Sequence, residues 1–289
     1  MWLIPALSCA FFTATSAAIT KLLLRRNDEY LIGWLRLVVS IPFLLVILFS
    51  HKIPHLDGVF VRTVIIMLPL EVVAYMLFLK AIKHSPLSLT LPFLALTPVF
   101  LVLTGHLILG ERIGSLGLVG IVFVALGGYL LHADTLRMGI FKPLISIFKE
   151  KGSVYMIIVA TIFSVTAALA KVAINHSSAL FFGIAYFPLV AVVLFPIVIV
   201  RYRRGLIDLN NLKGEGRLLI LLGIIFASAI LTHCLSISMA KVAYVVSVKR
   251  LSMIFGVIYG WLIFKESHIL SRLLGTALMV FGVILIALS

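Results

Sequence analysis

Residues 131–153 read LHADTLRMGIFKPLISIFKEKGS, and this stretch separates two halves of the chain that resemble each other. It carries four basic residues against two acidic ones, whereas the sequence on either side is almost wholly apolar. Its apolar residues recur at helical spacing, at Phe141, Leu144, Ile145 and Phe148. We therefore predict a basic amphipathic connector over 133–152 that lies on a membrane face, with a solvated linker as the alternative.

The composition is typical of a membrane protein. Of the 289 residues, 63% are hydrophobic, whereas soluble domains are about half apolar. The formal net charge is +14, but the basic residues lie in short gaps between apolar runs. Such a pattern indicates membrane orientation rather than nucleic-acid binding. Cys9 and Cys234 lie within apolar runs, and their spacing predicts neither a disulfide nor a metal site.

Ten apolar runs approach the length of about 20 residues that a helix needs to cross a bilayer. We number them as predicted spans 1 to 10, at 3–24, 30–50, 61–80, 87–109, 114–132, 153–173, 179–200, 217–239, 242–264 and 268–288. The connections are short except at 132–152 and 201–216, so no water-soluble domain fits between them. The prediction is an all-α integral membrane protein with ten transmembrane helices, a first five-helix repeat in 1–132 and a second in 153–289.

A fixed offset relates the two halves. Adding 155 to six residue numbers in spans 4 and 5 gives the same residue types in spans 9 and 10, at Leu96/Leu251, Phe100/Phe255, Gly105/Gly260, Glu111/Glu266, Gly120/Gly275 and Gly127/Gly282. Nearer the N-terminus the offset is 150, which relates Gly33 to Gly183 and Lys21 to Lys171. Because five is odd, the second copy enters from the opposite face. This predicts inverted repeats with a substrate site between them near the midplane, and a duplicated bundle without transport is the alternative.

Loop charges predict the orientation. Connections that follow odd-numbered spans hold 16 Lys and Arg residues, and those that follow even-numbered spans hold five. Positive charge marks the cytoplasmic side of a membrane protein. We therefore predict that the odd connections are cytoplasmic and that both termini are outside.

Three charged residues lie deep inside apolar runs, where a charge costs about 3 kcal/mol at the bilayer centre and must face protein or water. Glu71 follows Pro69 near the middle of span 3, and Lys249 and Arg250 lie in span 9. Since these spans belong to different repeats, we predict a Glu71–Arg250 pair at the substrate or gating site, where Arg250 can hold an anionic group. A buried structural ion pair is the alternative. Glu71 is also the best candidate for a titrating group in proton coupling.

Further candidates for substrate binding or gating are Lys21, Lys171, Tyr75, His233 and Thr97. Lys21 and Lys171 end spans 1 and 6 at matching places, where they line an entrance or anchor their helices. For His233 the alternative is a packing role, and for Arg36 in span 2 the prediction is a side chain that reaches water from the helix end.

Glycines mark the predicted close contacts between helices. Gly120 and Gly127 give span 5 a small-residue stripe, and Gly275 and Gly282 do so for span 10. We predict that the stripes pack within the bundle, with a homodimer contact as the alternative. Gly256-x-x-x-Gly260 in span 9 also fits a close-packing face.

The sequence contains no GxxxxGK[ST], HExxH or GxSxG motif, and its acidic residues do not cluster. We therefore predict that the protein is not an enzyme and needs no cofactor or metal. The predicted partners are a small-molecule solute, the lipid bilayer and, through Glu71, a proton, with no nucleic acid among them.

Four short motifs resemble those of ten-helix, EamA-type members of the drug/metabolite transporter superfamily. They are Ala81-Ile-Lys-His-Ser85-Pro-Leu after span 3, Leu96-Thr-Pro-Val-Phe100 in span 4, Gly110-Glu111 after span 4 and Lys265-Glu266 after span 9. The resemblance covers nearly the whole chain. It implies two inverted five-helix repeats, a central cavity lined by spans 1, 3, 4, 6, 8 and 9, and termini in the cytoplasm, which opposes the orientation predicted from loop charge.

The resemblance also implies export or exchange of small metabolites, often amino acids or related compounds. We therefore predict a secondary transporter of the cell (inner) membrane that moves an amino acid-like or other amphipathic solute by alternating access. The alternatives are a flippase for a lipid-linked precursor and a membrane scaffold that transports nothing.

Overall fold

The computed structural model describes residues 1–48, 53–84, 91–130, 151–263 and 270–289, and these residues form helices without any strand. The helices are α1 (Leu3–Leu23), α2 (Glu29–Val38), α3 (Ile41–Leu48), α4 (Gly58–His84), α5 (Thr97–Leu109), α6 (Ser115–Leu130), α7 (Lys151–Asn175), α8 (Ala179–Arg203), α9 (Gly216–Met239), α10 (Val242–Lys249), α11 (Ser252–Leu262) and α12 (Leu270–Ala287). Two 3-10 helices, Leu91–Leu96 and Leu209–Leu212, precede α5 and α9. The predicted connector lies outside the described residues as far as residue 150.

Six helical segments in the described ranges are long and apolar enough to cross a membrane. They are Leu3–Leu23, Glu29–Ile47, Gly58–Phe78, Val154–Asn175, Ala179–Arg203 and Gly216–Met239, and three shorter apolar helices are Phe93–Leu109, Ser115–Leu130 and Leu274–Ala287. Large apolar side chains such as Ile65, Val192 and Ile220 are exposed on the outside of the bundle, where lipid replaces water as the solvent. Predicted span 9 is absent from the long segments because it is divided into α10 and α11.

Predicted spans 4 and 9 are interrupted at matching positions. In span 4 the 3-10 helix ends at Leu96 and α5 begins at Thr97. In span 9 α10 ends at Lys249 and α11 begins at Ser252. Thr97 and Ser252 are 155 residues apart, which is the repeat offset found in the sequence. Spans 4 and 9 are therefore both interrupted at the position that the repeat offset relates, and span 2 is also divided, into α2 and α3.

The break in span 9 has tight backbone turns. Leu251 N donates to Val248 O at 2.9 Å, and Met253 N donates to Arg250 O at 3.0 Å. These bonds join residues three apart, as in a 3-10 helix, rather than four apart as in an α-helix. The tightening redirects the chain at Arg250 and displaces its side chain from the regular face of the helix.

The glycine stripes of α6 and α12 face each other. A Cβ atom added to Gly120 would lie 2.6 Å from the Gly282 carbonyl oxygen, and one added to Gly127 would lie 2.6 Å from that of Gly275. The earlier glycine of α6 faces the later glycine of α12, and the later one faces the earlier, so the two helices are antiparallel. Adding the offset of 155 to one contact generates the other, as expected for two copies related by a twofold axis. The stripes pack within the chain, whereas no atom of the described residues lies within 4 Å of a Cβ placed on Gly256.

Other local features also recur at the repeat offsets. Gly33 on α2 faces the Tyr75 hydroxyl on α4. Its equivalent is Gly183 on α8, where an added Cβ atom would lie 3.2 Å from Ile230 Cγ2 on α9. Ile230 is the equivalent of Tyr75. The second and third spans of each half therefore approach each other through the same glycine.

Asp57 holds the start of α4 to the end of α7. Its Oδ1 accepts a hydrogen bond from Phe60 N at 2.9 Å, and its Oδ2 contacts His176 Nδ1 at 2.6 Å. The Phe60 amide, and after it the His176 ring, lower the pKa of the exposed Asp57 carboxyl below its ordinary value of about 3.9. The ionised carboxylate is thus the form that the folded protein favours.

We expect Asp57→Asn to lower the melting temperature at neutral pH and to have no effect in strong acid. Because the pKa in the folded state is depressed, the contribution of the carboxylate is complete above about pH 4 and is lost as pH falls through the lowered pKa. Thermal unfolding of both proteins in detergent, followed from about pH 5 downwards, measures this difference. A difference between the two melting temperatures that stayed constant with pH would contradict the assignment.

Candidate functional site

Arg250 lies at the break in span 9 and reaches the matching break in span 4. Its Nη2 atom donates a hydrogen bond to Thr97 Oγ1 at 2.7 Å, and Thr97 Oγ1 donates to Leu94 O at 2.8 Å. The buried Arg250 Nε atom has no hydrogen-bond partner among the described residues. Because a guanidinium has five N–H donors, Arg250 retains donors for a group that enters the site.

The predicted Glu71–Arg250 ion pair does not form between these two described residues. Arg250 is bonded to α5, whereas the Glu71 carboxylate interacts with the Thr166 side chain on α7 and feels the charge of Lys249. The pair fails because the break at Arg250 points its side chain towards the first turn of α5 rather than towards α4. Lys249, one residue earlier, is the cation within electrostatic reach of Glu71.

Lys249 is the second cation of this site. Its side chain lies within electrostatic reach of Cys9 on α1, Glu71 on α4 and Cys234 on α9, so three helices besides its own surround it. The described residues offer it neither a hydrogen bond nor an ion pair within 4.0 Å. Lys249 is therefore a half-buried ammonium group held among apolar helices without a direct counter-ion.

Glu71 is the single acidic group in this part of the structure. Pro69, two residues earlier in α4, lacks the backbone N–H that would bond to the Ile65 carbonyl, one turn before it. Tyr186 on α8 is 3% exposed, and its hydroxyl is buried without a hydrogen-bond partner in the described ranges. This hydroxyl lies within electrostatic reach of Glu71. Glu71, Thr166 and Tyr186 thus form a polar group contributed by α4, α7 and α8.

Arg36 is a third cation, partly buried in the last turn of α2, and its guanidinium group lies against an aromatic ring. The guanidinium carbon lies 4.3 Å from the centre of the Phe226 ring, a cation–π distance. Its Nε atom is buried and has no hydrogen-bond partner in the described part of the chain. Tyr75 on α4 lies within electrostatic reach of Arg36, and it packs against Gly33, which is on α2 as Arg36 is.

A sequence signal links Arg36 with Tyr186, which the sequence offers as a weaker candidate beside Tyr75 and His233. Tyr186 is the offset-150 equivalent of Arg36, and Phe226 is the offset-155 equivalent of Glu71. The contact of Arg36 with Phe226 is therefore the repeat equivalent of the approach of Tyr186 to Glu71. Applying the offset to the charged residues of spans 2 and 3 identifies both positions.

The remaining candidates occupy different places. His233 on α9 lies within electrostatic reach of Lys249 and Arg250, and its buried Nδ1 atom has no hydrogen-bond partner among the described residues. It therefore belongs with the cations of span 9. Lys21 is exposed in the last turn of α1.

Lys171 forms an ion pair that joins the two halves of the chain. Its Nζ lies 2.7 Å from Glu111 Oε1 and donates to Ala240 O at 2.6 Å. Glu111 Oε2 also accepts from Val242 N at 3.0 Å. Gly110, which ends α5 with a left-handed φ of 68°, turns the chain so that Glu111 reaches this position. We call these four residues, Lys171, Glu111, Ala240 and Val242, the clasp.

The matches with known proteins agree with this two-part architecture. The model of the EamA-like transporter family matches residues 1–132 and 150–288. The chain belongs to the EamA-like transporter family. The family assigned from the short motifs is therefore confirmed, and the protein is a multi-pass membrane protein of a family of small-solute transporters, which are not enzymes.

Solved structures share the fold of this EamA-like transporter. Matches were found to 29 chains, and one of them, described as "Crystal structure of protein", has a TM-score of 0.77 at 13% sequence identity. The match covers 99% of this chain and 95% of the other. At this identity the likeness shows the fold alone. No curated protein matches the sequence.

Proposed function

We propose that this EamA-like transporter moves a small amphipathic metabolite across the cell membrane by alternating access, in export or exchange. The substrate site lies between the two halves, where the breaks of spans 4 and 9 meet. The bond from Arg250 to Thr97, which leaves a buried guanidinium nitrogen unpaired, is the observation that carries this proposal. Discontinuous helices at the midplane are the usual substrate site of transporters built from inverted repeats.

Contacts between the connections support ten membrane crossings and inverted repeats. Two contacts join connections that follow odd-numbered spans, Arg201 with Asp28 and Asn211 with Arg26. Two others join connections that follow even-numbered spans, His176 with Asp57 and Lys241 with Arg112. Ten crossings place connections of equal parity on the same membrane face, and these contacts agree with that placement. The antiparallel crossing of α6 and α12 supports the same threading, because spans 5 and 10 then run in opposite directions. Reporter tags on each connection test the threading and the orientation together.

We further propose that Glu71 couples transport to a proton. It is the one acidic side chain beside Lys249 and Tyr186, and Thr166 holds its carboxylate. Glu71→Gln should keep solute exchange while abolishing the response to an imposed pH gradient. Uptake into proteoliposomes with and without that gradient measures this, and a gradient-driven rate equal to the wild-type rate would contradict it.

Transport itself is tested with proteoliposomes loaded with a deproteinised extract of cell metabolites, whose loss is followed by mass spectrometry. We expect wild-type protein to release a restricted set of metabolites and Arg250→Gln to release them at least about tenfold more slowly, the effect of losing roughly one charge-assisted hydrogen bond. The matched control is Arg204→Gln, which removes the same charge from an exposed position after α8. Complete retention of the extract by wild-type vesicles would refute transport.

A further inference from the structure

The site holds more positive than negative charge. Arg36, Lys249 and Arg250 are three cations in membrane-spanning helices, and Glu71 is the acidic residue that accompanies them. None of the three cations forms an ion pair within 4.0 Å in the described ranges. Unpaired charge inside a bilayer is costly and marks a pathway or a ligand site. In the described ranges these helices therefore carry more positive than negative charge.

Glu71 lies near one of the two adjacent cations of span 9. Its carboxylate is within electrostatic reach of Lys249, whereas the hydrogen bond that Arg250 makes is to a neutral hydroxyl, that of Thr97. In the described ranges Arg250 therefore has no carboxylate partner within 4.0 Å.

The first half of the chain carries no cations at its own break. The equivalents of Lys249 and Arg250 there are Leu94 and Ala95. Pro92 and Pro98 accompany the break in span 4, whereas span 9 has no proline. A pair of adjacent positive charges at this position is therefore a feature of span 9 and not of both repeats.

We propose that the transported solute is a small organic anion whose carboxylate or phosphate oxygens bind Arg250 and Lys249 at the break of span 9. This inference rests on the proposed transport function and names its substrate class. The Arg250 fork matches a planar pair of oxygens, and Lys249 adds a second charge from the adjacent residue. His233, whose buried Nδ1 atom lacks a partner among the described residues, is the neighbouring polar group, within electrostatic reach of both cations. A bound anion would offset the excess of positive charge on these helices.

Binding is measured by thermal stability of the purified protein in detergent at constant ionic strength. The probes are succinate and glycerol 3-phosphate, with succinamide and glycerol as neutral analogues. We expect one of the two anions to raise the melting temperature, because a ligand that binds the folded state alone stabilises it. The anion that does so distinguishes a carboxylate from a phosphate site. Stabilisation by neither anion, or equally by the neutral analogues, would overturn the proposal.

The variants locate the anion. Arg250→Gln should weaken the effective anion at least about tenfold, and Arg250→Lys, which keeps the charge without the fork, should fall between it and wild type. Arg204→Gln should bind as wild type does. A wild-type affinity in Arg250→Gln would overturn the assignment. Anion binding to the wild-type protein is measured without any variant, so the proposal is still tested if one variant misfolds.

The metabolite-extract assay separates this inference from the function beneath it. Release of anionic metabolites by wild-type vesicles supports the inference. Release of neutral or cationic metabolites alone overturns the anion and leaves transport standing. Retention of the whole extract overturns transport, and the inference with it.

Discussion

Gly127→Ala should destabilise the protein, although alanine favours helices over glycine by about 1 kcal/mol. The added Cβ atom would lie 2.6 Å from the Gly275 carbonyl oxygen and 2.7 Å from Met279 N, both of them backbone atoms. Backbone atoms of a packed helix have no rotamer that avoids the clash, so α6 and α12 must separate. Overpacking of this kind costs about 1–3 kcal/mol, and the separation forfeits contacts along both helices. We expect a melting temperature lower by about 4 °C or more.

The chain offers controls for this substitution. Gly282 is the repeat equivalent of Gly127, and its added Cβ atom would lie 2.6 Å from Gly120 O and 2.8 Å from Val124 N. Gly282→Ala should therefore destabilise by a similar amount. Gly256→Ala makes the same change where nothing lies within 4 Å, so it should leave the melting temperature unchanged or raise it. Equal effects of Gly127→Ala and Gly256→Ala in detergent unfolding would show that the α6–α12 crossing is not close-packed.

Much of the architecture follows from hydropathy and the repeat offset. The offset places Gly120, Gly127, Gly275 and Gly282 in one register, and the structure brings these glycines face to face. Glycine spacing identifies a face of a helix and does not say whether a neighbouring helix covers it, and Gly256 has no described atom within 4 Å of an added Cβ. Pro92 and Pro98 predict a bend in span 4, whereas the break in span 9 was missed because an interruption without proline or a run of polar residues leaves hydropathy unchanged.

The site was predicted in its residues more than in its contacts. Glu71, Lys249 and Arg250 were found because charge is costly in an apolar run. Which of these side chains contact each other was not predicted correctly. The direction of a side chain at a break such as that before Ser252 depends on local backbone turns, which the sequence does not show. Arg36 was assigned to the helix end, since the sequence does not reveal that Phe226 covers its guanidinium group.

The clasp illustrates a related limit. Lys171 was a candidate from its position, but the offset relates equivalent residues and does not predict which residue of one half contacts the other. Its contact with Glu111 depends on how the two halves dock. The repeat equivalent of Glu111 is Glu266, which lies outside the described residues. The repeat equivalent of Lys171 is Lys21, which is exposed at the end of α1.

Glu111→Leu should destabilise this structure more than the loss of a surface ion pair would. The side chains of Lys171 and Glu111 are 16% and 12% exposed, so the pair is largely withdrawn from solvent. The substitution leaves the Lys171 ammonium and the Val242 N–H without the carboxylate that binds both. Removing one partner of a buried pair costs about 3 kcal/mol, whereas a surface pair is worth about 1 kcal/mol or less.

A double-mutant cycle identifies the source of this loss. Lys171→Met in the Glu111→Leu background removes the stranded ammonium, so the double variant should recover part of the stability. Glu111→Gln keeps an acceptor for Val242 N and should be the mildest of the changes. Additive effects of Glu111→Leu and Lys171→Met on the melting temperature would mean that the two side chains do not interact.

Breaking the clasp should also open the even face of the transporter. Glu111 belongs to one half and its partners Lys171 and Val242 to the other, so these two bonds must break if the halves separate there. Cys234, which is 1% exposed and lies within electrostatic reach of Lys249, is a native reporter of water at the site. We expect a small, water-soluble methanethiosulfonate reagent to label Cys234 at least about tenfold faster in Glu111→Leu, because the closed state loses its differential stabilisation.

The control for this opening is Asp57→Asn, which breaks the other ion pair of the even face, that with His176, without touching the clasp. If loss of any bond on this face admits the reagent, Asp57→Asn and Glu111→Leu will accelerate labelling alike. If the clasp alone holds the halves together there, Asp57→Asn will label at the wild-type rate. Labelling in a Cys9→Ser background ensures that the signal comes from Cys234, since both thiols are free and buried. An unchanged rate in Glu111→Leu would restrict the clasp to a structural role, because a bond that gates a pathway must change access to it when removed.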